Sequence, residues 1–398
     1  MKRSVAAALT GILLMLPAAA ATAVEPAGRV TLLVDFDRSV PSAARAALHA
    51  RAGAVITGTI PEIALDRVSV PRATEPVYAA AAGVHSVERP RLLHVMGRRP
   101  NDPLVSLQWG LPRLDVFKAW KVETGKRTKV PVGVIDTGID ATHVDLKGRV
   151  SEGFDFLETD DDPYDDHGHG THVAGIIAAN VGNREGIAGV SQGARIIPMK
   201  TCEAAGTCPI FETYLGVIDA VRRGALVLNM SLGGPGECSF IDQSVFDWVH
   251  DQGVLTVVAA GNSGHQGNPP ITPASCDHTL AVGASDQRGR RAVFSSYGSF
   301  VDVSAPGVDI WSTLPPLVSI MSPHIGYAPW DGTSMAAPFV AGAASLLKAH
   351  NPDWSPDQIQ QRLMATAVDA GKRGRDDSFG KGIVNLFAAL RKARSSQI

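Results

Sequence analysis

Three short segments of the sequence carry an aspartate, a histidine and a serine in surroundings typical of catalytic residues. Asp136 lies in VGVIDTG, His169 in GHGTHVAG and Ser334 in GTSMAAP. A serine becomes a nucleophile when a histidine base takes its proton, and an aspartate can hold that histidine in the correct tautomer. The three residue types therefore indicate nucleophilic hydrolysis, provided that the fold brings them together.

Each of the three residues stands where its proposed role needs it. A carboxylate such as Asp136, directly after an apolar strand, can lie in the crevice at the carboxyl edge of an open α/β sheet. The glycines on both sides of His169 leave space for a substrate and for close backbone approach. Ser334 begins a helix of small residues, whose N-terminus offers N–H donors and a dipole that favours developing negative charge. We therefore expect Asp136 to orient His169, and His169 to activate Ser334.

The chain order Asp, His, Ser and the three segments together resemble those of the subtilisin-like serine proteases, from about Asp102 to the C-terminus. The resemblance implies a subtilisin-like fold, peptide-bond hydrolysis through an acyl-enzyme, and an N-terminal inhibitory propeptide. It also implies that Asn262, in VAAGNSG, donates its side-chain amide to the oxyanion. Ser231, Leu232 and Gly233 would line the primary specificity pocket, on an edge that can pair with an extended peptide. We expect a serine endopeptidase that acts on polypeptides.

Other protein classes share parts of these motifs. His167, His169 and His172 nearly match the His-x-His-x-Asp-His signature of metallo-hydrolases, but Thr171 stands where that signature has an aspartate. Asp136-Thr-Gly resembles an aspartic protease motif, but the sequence has no second Asp-Thr-Gly or Asp-Ser-Gly. A non-catalytic secreted binding protein on a protease scaffold is the third alternative. Labelling by a fluorophosphonate distinguishes all of these from a serine protease, because it needs an activated serine.

The elements that must position these residues alternate between strands and helices from Val130 onward. Short, nearly continuous apolar runs are typical of strands buried on both faces of a parallel sheet. Such strands are predicted at Val130–Ile135, Arg195–Met199, Leu226–Met230, Val254–Ala259 and Thr279–Val282. Helices are predicted at His169–Asn180, Phe211–Arg223, Asp242–Gln252, Ser334–His350, Ser355–Val368 and Val384–Arg394. This alternation predicts an α/β fold, a doubly wound and mostly parallel sheet flanked by helices, for residues 101–398.

Residues 24–100 are predicted to form a separate, small α+β domain. Its strands are expected at Arg29–Asp35, Ala54–Ile60, Arg67–Val70 and Val84–Glu88, and its helices at Ser42–Ala50 and Glu75–Ala82. The domain has ten arginines against seven acidic residues, whereas residues 101–398 have 25 basic and 32 acidic residues. Opposite charges fit a propeptide that docks on the catalytic domain as an intramolecular inhibitor, and they give no reason to expect nucleic-acid binding.

The first 23 residues resemble a secretory signal peptide. Lys2 and Arg3 precede the apolar run Val5–Leu16, and Ala21-Thr-Ala23 fits the small-x-small cleavage pattern. A membrane anchor is the alternative, but the apolar run is too short to span a bilayer comfortably. We therefore expect an exported protein without stable membrane insertion, extracellular or periplasmic, which is later cut between about Leu93 and Asp102.

Four cysteines, Cys202, Cys208, Cys238 and Cys276, allow three pairings. Export makes disulfides chemically reasonable. We favour Cys202–Cys208 and Cys238–Cys276, because the first pair brackets a short glycine-containing loop; free buried thiols are the alternative.

A structural calcium site is a further expectation, since members of the family often bind calcium near the mature N-terminus. Asp102 and Asp145 stand at plausible ligand positions, and the loop 180–186 can add carbonyl and amide oxygens, which suit calcium. Arg184 inside that loop departs from a clean ligand set.

Overall fold

A computed structural model of the protein describes residues 28–90, 100–320 and 322–391. The chain divides into two compact units, one on each side of residue 96. The predicted signal peptide and most of the predicted connection between the domains lie outside the described residues. No helix of the described part is long and apolar enough to cross a membrane.

The first unit has the predicted small α+β fold. Its strands are β1 (Arg29–Phe36), β2 (Val55–Ile60), β3 (Leu65–Pro71) and β4 (Val84–Glu88). Its helices are α1 (Ser42–Arg51) and α2 (Pro76–Ala79), with 3-10 turns at Pro61–Ile63 and Arg72–Thr74. The strands form an antiparallel sheet in the order β2-β3-β1-β4. Alternate residues of β1 are buried, as expected for a sheet with one face against the core.

The second unit contains the predicted alternation of strands and helices. Its strands are β5 (Pro131–Asp136), β6 (Phe154–Asp155), β7 (Arg195–Lys200), β8 (Val227–Met230), β9 (Gly234–Pro235), β10 (Leu255–Ala259), β11 (Ile271–Thr272), β12 (Thr279–Ser285), β13 (Val303–Pro306), β14 (Ile310–Thr313) and β15 (Tyr327–Trp330). Its helices are α3 (Gly110–Arg113), α4 (Val116–Ala119), α5 (His169–Ala178), α6 (Ile210–Arg222), α7 (Phe240–Asp251), α8 (Thr333–His350), α9 (Pro356–Ala365) and α10 (Leu386–Leu390).

A parallel sheet runs through this unit in the strand order β13-β12-β10-β8-β5-β7-β6. Alternate residues of its central strands pack into two different apolar clusters. Val134 and Val257 join the cluster that contains α5 and α8, whereas Ile135 and Val258 join the cluster that contains α6 and α7. The sheet is therefore covered by helices on both faces, which confirms the predicted fold class.

The structure corrects several predicted boundaries. The predicted helix Ser355–Val368 ends at Ala365, and the predicted helix Val384–Arg394 begins only at Leu386, because the Asn385 side chain accepts the N–H of Ala388 and caps it. The sequence pattern missed the four-residue helices α3 and α4, the two-residue strands β6, β9 and β11, and the four-residue strands β13, β14 and β15. These elements are too short, or too rich in Ser, Gly and Pro, to give a helical period or a period of two.

Candidate active site

Three neighbouring parallel strands end beside one cavity. Strand β5 ends at Asp136, and the segments that follow β8 and β10 contribute Ser231 and Asn262. Because the carboxyl ends of parallel strands meet at the same edge, these side chains converge although they are distant in sequence. The cavity has a volume of about 770 Å³, and His169 and Ser334 also line it.

Asp136 and His169 are joined by a hydrogen bond. His169 Nδ1 lies 2.7 Å from Asp136 Oδ1, which also accepts the N–H of Thr137 at 2.8 Å. Because a carboxylate only accepts, Nδ1 carries the proton, and Nε2 is left as the basic nitrogen. Burial disfavours the charged ring, but the charge of Asp136 and this hydrogen bond together hold the pKa of His169 above its ordinary value. Asp136 can therefore orient the imidazole, and Nε2 of His169 can act as a general base.

Ser334 is the second residue of α8, two residues after the N-cap Gly332, whose φ of 154° favours glycine. Its Oγ donates to the carbonyl oxygen of Ser231 at 2.9 Å, and the Ser231 hydroxyl donates to the carbonyl oxygen of Ser334 at 2.8 Å. A serine hydroxyl has one proton, so in this state that proton points to Ser231 and away from His169. Attack on a substrate requires Oγ to turn towards the imidazole.

Asn262 has a fixed orientation. Its Oδ1 accepts both the backbone N–H and the hydroxyl of Thr333, each at 2.9 Å. The Thr333 hydroxyl in turn accepts the N–H of Gly261 at 3.1 Å. These contacts fix the amide oxygen, and Nδ2 donates no hydrogen bond to another of the described residues, so both of its hydrogens are available to a group bound in the cavity.

Ser231, Leu232 and Gly233 line the same cavity. The chain then continues as β9, which pairs with β11 through Thr272↔Gly234 and Ile271↔Pro235. The Cys238–Cys276 disulfide follows both strands and joins the ends of this small sheet. The second disulfide, Cys202–Cys208, closes a loop whose residues also line the cavity. These two disulfides have the favoured pairing, and the described residues contain no free cysteine.

Asp165 is a residue that the sequence reading missed. It belongs to the acidic run 160–166, of which residues 160–162 are exposed, as in a solvated loop. The Asp165 side chain, however, is fully buried and accepts hydrogen bonds from Thr137 Oγ1 (2.8 Å) and from both the N–H (2.8 Å) and the hydroxyl (2.6 Å) of Thr171. It also accepts the N–H groups of His167 and Gly168, at 3.1 and 2.7 Å. An acidic residue just before a predicted helix start was the available signal.

Burial raises the pKa of Asp165, and the donated hydrogen bonds counteract that rise. Asp165 thus connects the segment after β5 to the first turn of α5. We assign it a positioning role, because it contacts the residues next to Asp136 and His169 rather than the cavity.

The histidines of the metallo-hydrolase signature have separate environments. His172 is fully buried, its Nε2 donates to the carbonyl oxygen of Ala328 at 3.1 Å, and its ring stacks on Trp330. Burial lowers the pKa of His172 to about 3. The side-chain groups of the described residues that are close enough to share a metal ion do not include His167, His169 or His172. His172 therefore has a packing role.

The two predicted metal ligands, Asp102 and Asp145, are buried at the loop 182–187. Asp102 accepts the N–H groups of Gly182 and Asn183, at 2.9 and 3.1 Å. Asp145 accepts the Asn183 side-chain amide at 2.7 Å and the Tyr327 hydroxyl at 3.0 Å. The structure therefore brings both carboxylates to one loop.

Comparisons with known proteins cover most of the chain. Residues 127–382 match the model of the subtilase family. Subtilisin DY from Bacillus licheniformis is 40% identical over 290 residues, which are 71% of this chain and 98% of that protein. Thermitase from Thermoactinomyces vulgaris is 37% identical over 292 residues, which are 73% of this chain and 99% of that protein.

Solved structures give the same result. Fervidolysin from Fervidobacterium pennivorans, described as a keratinolytic enzyme related to subtilisin, aligns with a TM-score of 0.68 at 30% identity, covering 93% of this chain and 62% of that one. A protease from Pseudoalteromonas arctica aligns with a TM-score of 0.65 at 31% identity, covering 74% of this chain and 99% of that one. The fervidolysin match is longer than the second unit and so extends into the first.

Proposed function

The chain belongs to the subtilase family of serine peptidases, and from that premise we propose that it is a secreted endopeptidase that works through an acyl-enzyme. The observation that carries this proposal is the 2.7 Å contact of Asp136 with His169 in a cavity that Ser334 also lines. Three of the described elements, β5, α5 and α8, would supply the catalytic residues.

In the proposed mechanism, Ser334 Oγ turns from the Ser231 carbonyl to Nε2 of His169. It attacks the carbonyl carbon of the scissile bond while His169 takes its proton, and Asp136 stabilises the resulting imidazolium. Asn262 Nδ2 and the N–H groups at the start of α8 would bind the negative oxygen of the tetrahedral intermediate. His169 then gives its proton to the leaving amine, and water hydrolyses the acyl-enzyme with His169 again as base.

A fluorophosphonate probe tests the assignment of the nucleophile. The wild-type mature enzyme should be labelled on the peptide that contains Ser334, and Ser334→Ala should not be labelled. Ser263→Ala is the matched control, because Ser263 lines the same cavity and has no role in the mechanism. Labelling of folded Ser334→Ala at wild-type rate would refute the proposal.

We further propose that residues 24–100 are an inhibitory propeptide that the enzyme removes itself, after cleavage of a signal peptide at residues 1–23. Two observations support this proposal: the separate compact first unit, and relatives whose nearly complete length matches only 71–73% of this chain. The opposite charge balance of the two parts would assist docking.

Ser334→Ala should then accumulate as a precursor that lacks only its signal peptide. A trace of active enzyme should convert it to the mature length, with a new N-terminus between about Leu93 and Asp102. If purified Ser334→Ala matures normally in a host without other proteases, self-processing through Ser334 is wrong.

We also propose that Asp102 and Asp145 hold a structural calcium ion with oxygens of the loop 180–186. Their chemistry fits, because both are buried carboxylates, and neither has a basic side-chain partner in the ion pairs of the described residues. Burial raises the pKa of Asp102, and the charge of Asp145 adds to the rise, so a divalent cation would relieve their repulsion. The ion would stabilise the loop and take no part in the reaction.

A calcium titration tests this site. Native-state binding should raise the melting temperature with free calcium, and a chelator should lower it. Asp145→Asn should remove that dependence. If the melting temperature is the same with a chelator and with excess calcium, the proposed site is wrong. The N–H and hydroxyl donors around the two carboxylates would then stabilise them without an ion.

A further inference from the structure

Ile271 occupies the space between the two walls of the proposed specificity pocket. One wall is the segment after β8, which contains Gly233, and the other is the segment after β10, which contains Gly261. A Cβ placed on Gly261 would lie 2.7 Å from Cγ1 and 3.2 Å from Cδ1 of Ile271, and a Cβ placed on Gly233 would lie 3.2 Å from its Cγ2. The isoleucine side chain thus contacts both walls and occupies the inner part of the pocket, which the two glycines would otherwise leave open.

Ile271 has little freedom to move aside. The residue is only 3% exposed and belongs to the apolar cluster that contains α6 and α7. Its backbone pairs with Pro235, and its carbonyl oxygen accepts the N–H of Ser275 at 2.9 Å. The Cys238–Cys276 disulfide closes the ends of these strands. A β-branched side chain also has few alternative rotamers, so the floor of the pocket is fixed.

The pocket offers no free charge for a basic side chain. Among the described residues that line the cavity, the carboxylates are Asp136 and Asp242. Asp136 binds His169, and both oxygens of Asp242 are occupied: one accepts the Tyr214 hydroxyl, and the other accepts the Ser239 N–H at 2.9 Å and the Thr272 hydroxyl at 3.2 Å.

We propose that Ile271 determines specificity by closing the primary pocket, and that this enzyme prefers substrates with a small or medium-sized aliphatic residue before the scissile bond. This inference rests on the proposed function. An alanine or valine fills the remaining space, whereas a phenyl ring or a long basic chain would have to displace Ile271.

The test is a series of otherwise identical peptide p-nitroanilides with Ala, Val, Leu, Phe or Lys before the cleaved bond. For the wild type, kcat/KM should be at least about tenfold higher for Ala or Val than for Phe or Lys, since one methylene in an apolar pocket is worth roughly 10–200-fold. Ile271→Gly should raise the Phe/Ala ratio of kcat/KM at least about tenfold. Ile271→Val, which removes only Cδ1 and should fold normally, should raise the Leu/Ala ratio several-fold.

Ile197→Ala is the matched control. Ile197 is buried in the same apolar cluster but does not line the cavity, so its truncation should lower stability and leave the ratios unchanged. Equal cleavage of the Phe and Ala peptides by the wild type would overturn the inference, as would unchanged ratios in Ile271→Val. Failure to cleave any peptide would instead count against the proposed function.

Discussion

Replacing Asp165 by asparagine should damage stability and catalysis together. The carboxylate accepts five hydrogen bonds, from the backbone of His167 and Gly168, from the Thr137 hydroxyl, and from the N–H and hydroxyl of Thr171. Asparagine has the same shape, but one of its two oxygens becomes an NH2 group. Whichever way the amide turns, at least one buried backbone N–H then faces another donor.

The expected loss of stability follows from these contacts. With the amide oxygen kept towards His167, Gly168 and Thr137, the N–H of Thr171 loses its acceptor and its hydroxyl loses a charge-assisted partner. A buried donor without an acceptor costs about 1–3 kcal/mol. The two losses together predict about 2–5 kcal/mol, which lowers the melting temperature of a domain of this size by on the order of 10 °C.

The loss of activity follows from what Asp165 connects. Thr137 follows Asp136 directly, and Gly168 precedes His169, so a shift of either segment changes the geometry of the Asp136–His169 pair. A displacement of about 1 Å can cost on the order of 100-fold in rate. We expect kcat of Asp165→Asn to fall at least about tenfold, with a smaller change in KM.

Asp166→Asn is the matched control, because the neighbouring Asp166 side chain is 45% exposed and pairs with Lys200 at 3.0 Å. Melting temperatures should be measured in the Ser334→Ala background to avoid self-digestion, and kinetics on a peptide p-nitroanilide. If Asp165→Asn matches Asp166→Asn in both melting temperature and kcat, the positioning role of Asp165 is wrong.

Three further changes test separate parts of the site and the fold. Asn262→Ala should lower kcat with little change in KM; for a subtilisin the loss of such a donor costs about 10²–10³, a magnitude taken from that enzyme. His169 must be neutral to act as the base, so kcat/KM should rise with pH through the raised pKa of His169. In Asp136→Asn this rise should occur at lower pH, and the highest kcat/KM reached should be smaller. Burial raises the pKa of Asp302 to about 6, so the folded state retains a proton that the unfolded state loses between about pH 4 and 6, and stability falls as pH rises. The free energy of unfolding of Asp302→Asn, relative to that of the wild type, should therefore increase by up to about 3 kcal/mol from pH 4 to pH 8. Denaturant unfolding in the Ser334→Ala background measures both values, and an equal pH dependence of the two proteins would refute this.

The sequence predicted the central sheet well, because its strands depend on local patterns. Strands such as β8 and β10 are buried and nearly continuous in apolar character, and polar residues that follow such strands must collect at the carboxyl edge of a parallel sheet. Asp136 could therefore be placed at this edge without coordinates, whereas Ser231 and Asn262 were expected at the site from the resemblance to the subtilisin-like proteases.

The residues that sequence analysis missed depend on contacts between distant segments. Asp165 lies among exposed acidic residues, and its position just before a helix start is the signal in the sequence that separates it from those that are solvated. Ile271 is an ordinary apolar residue in a two-residue strand, and its importance appears only when Gly233 and Gly261 are found on either side of it. In both cases the burial of the side chain, rather than its type, determines the role.

Gly170 and Thr137 fix the distance between the first turn of α5 and the end of β5. A Cβ on Gly170 would lie 2.1 Å from the carbonyl oxygen of Gly138 and 3.2 Å from Cβ of Asp136, so only glycine lets the first turn of α5 approach the end of β5 this closely. The Gly170 N–H donates to Thr137 Oγ1 at 3.0 Å, and that hydroxyl donates to Asp165. The short segments around Asp136 and His169 therefore fit each other as a single packed unit. A change in either segment must alter the 2.7 Å contact on which the proposed base depends.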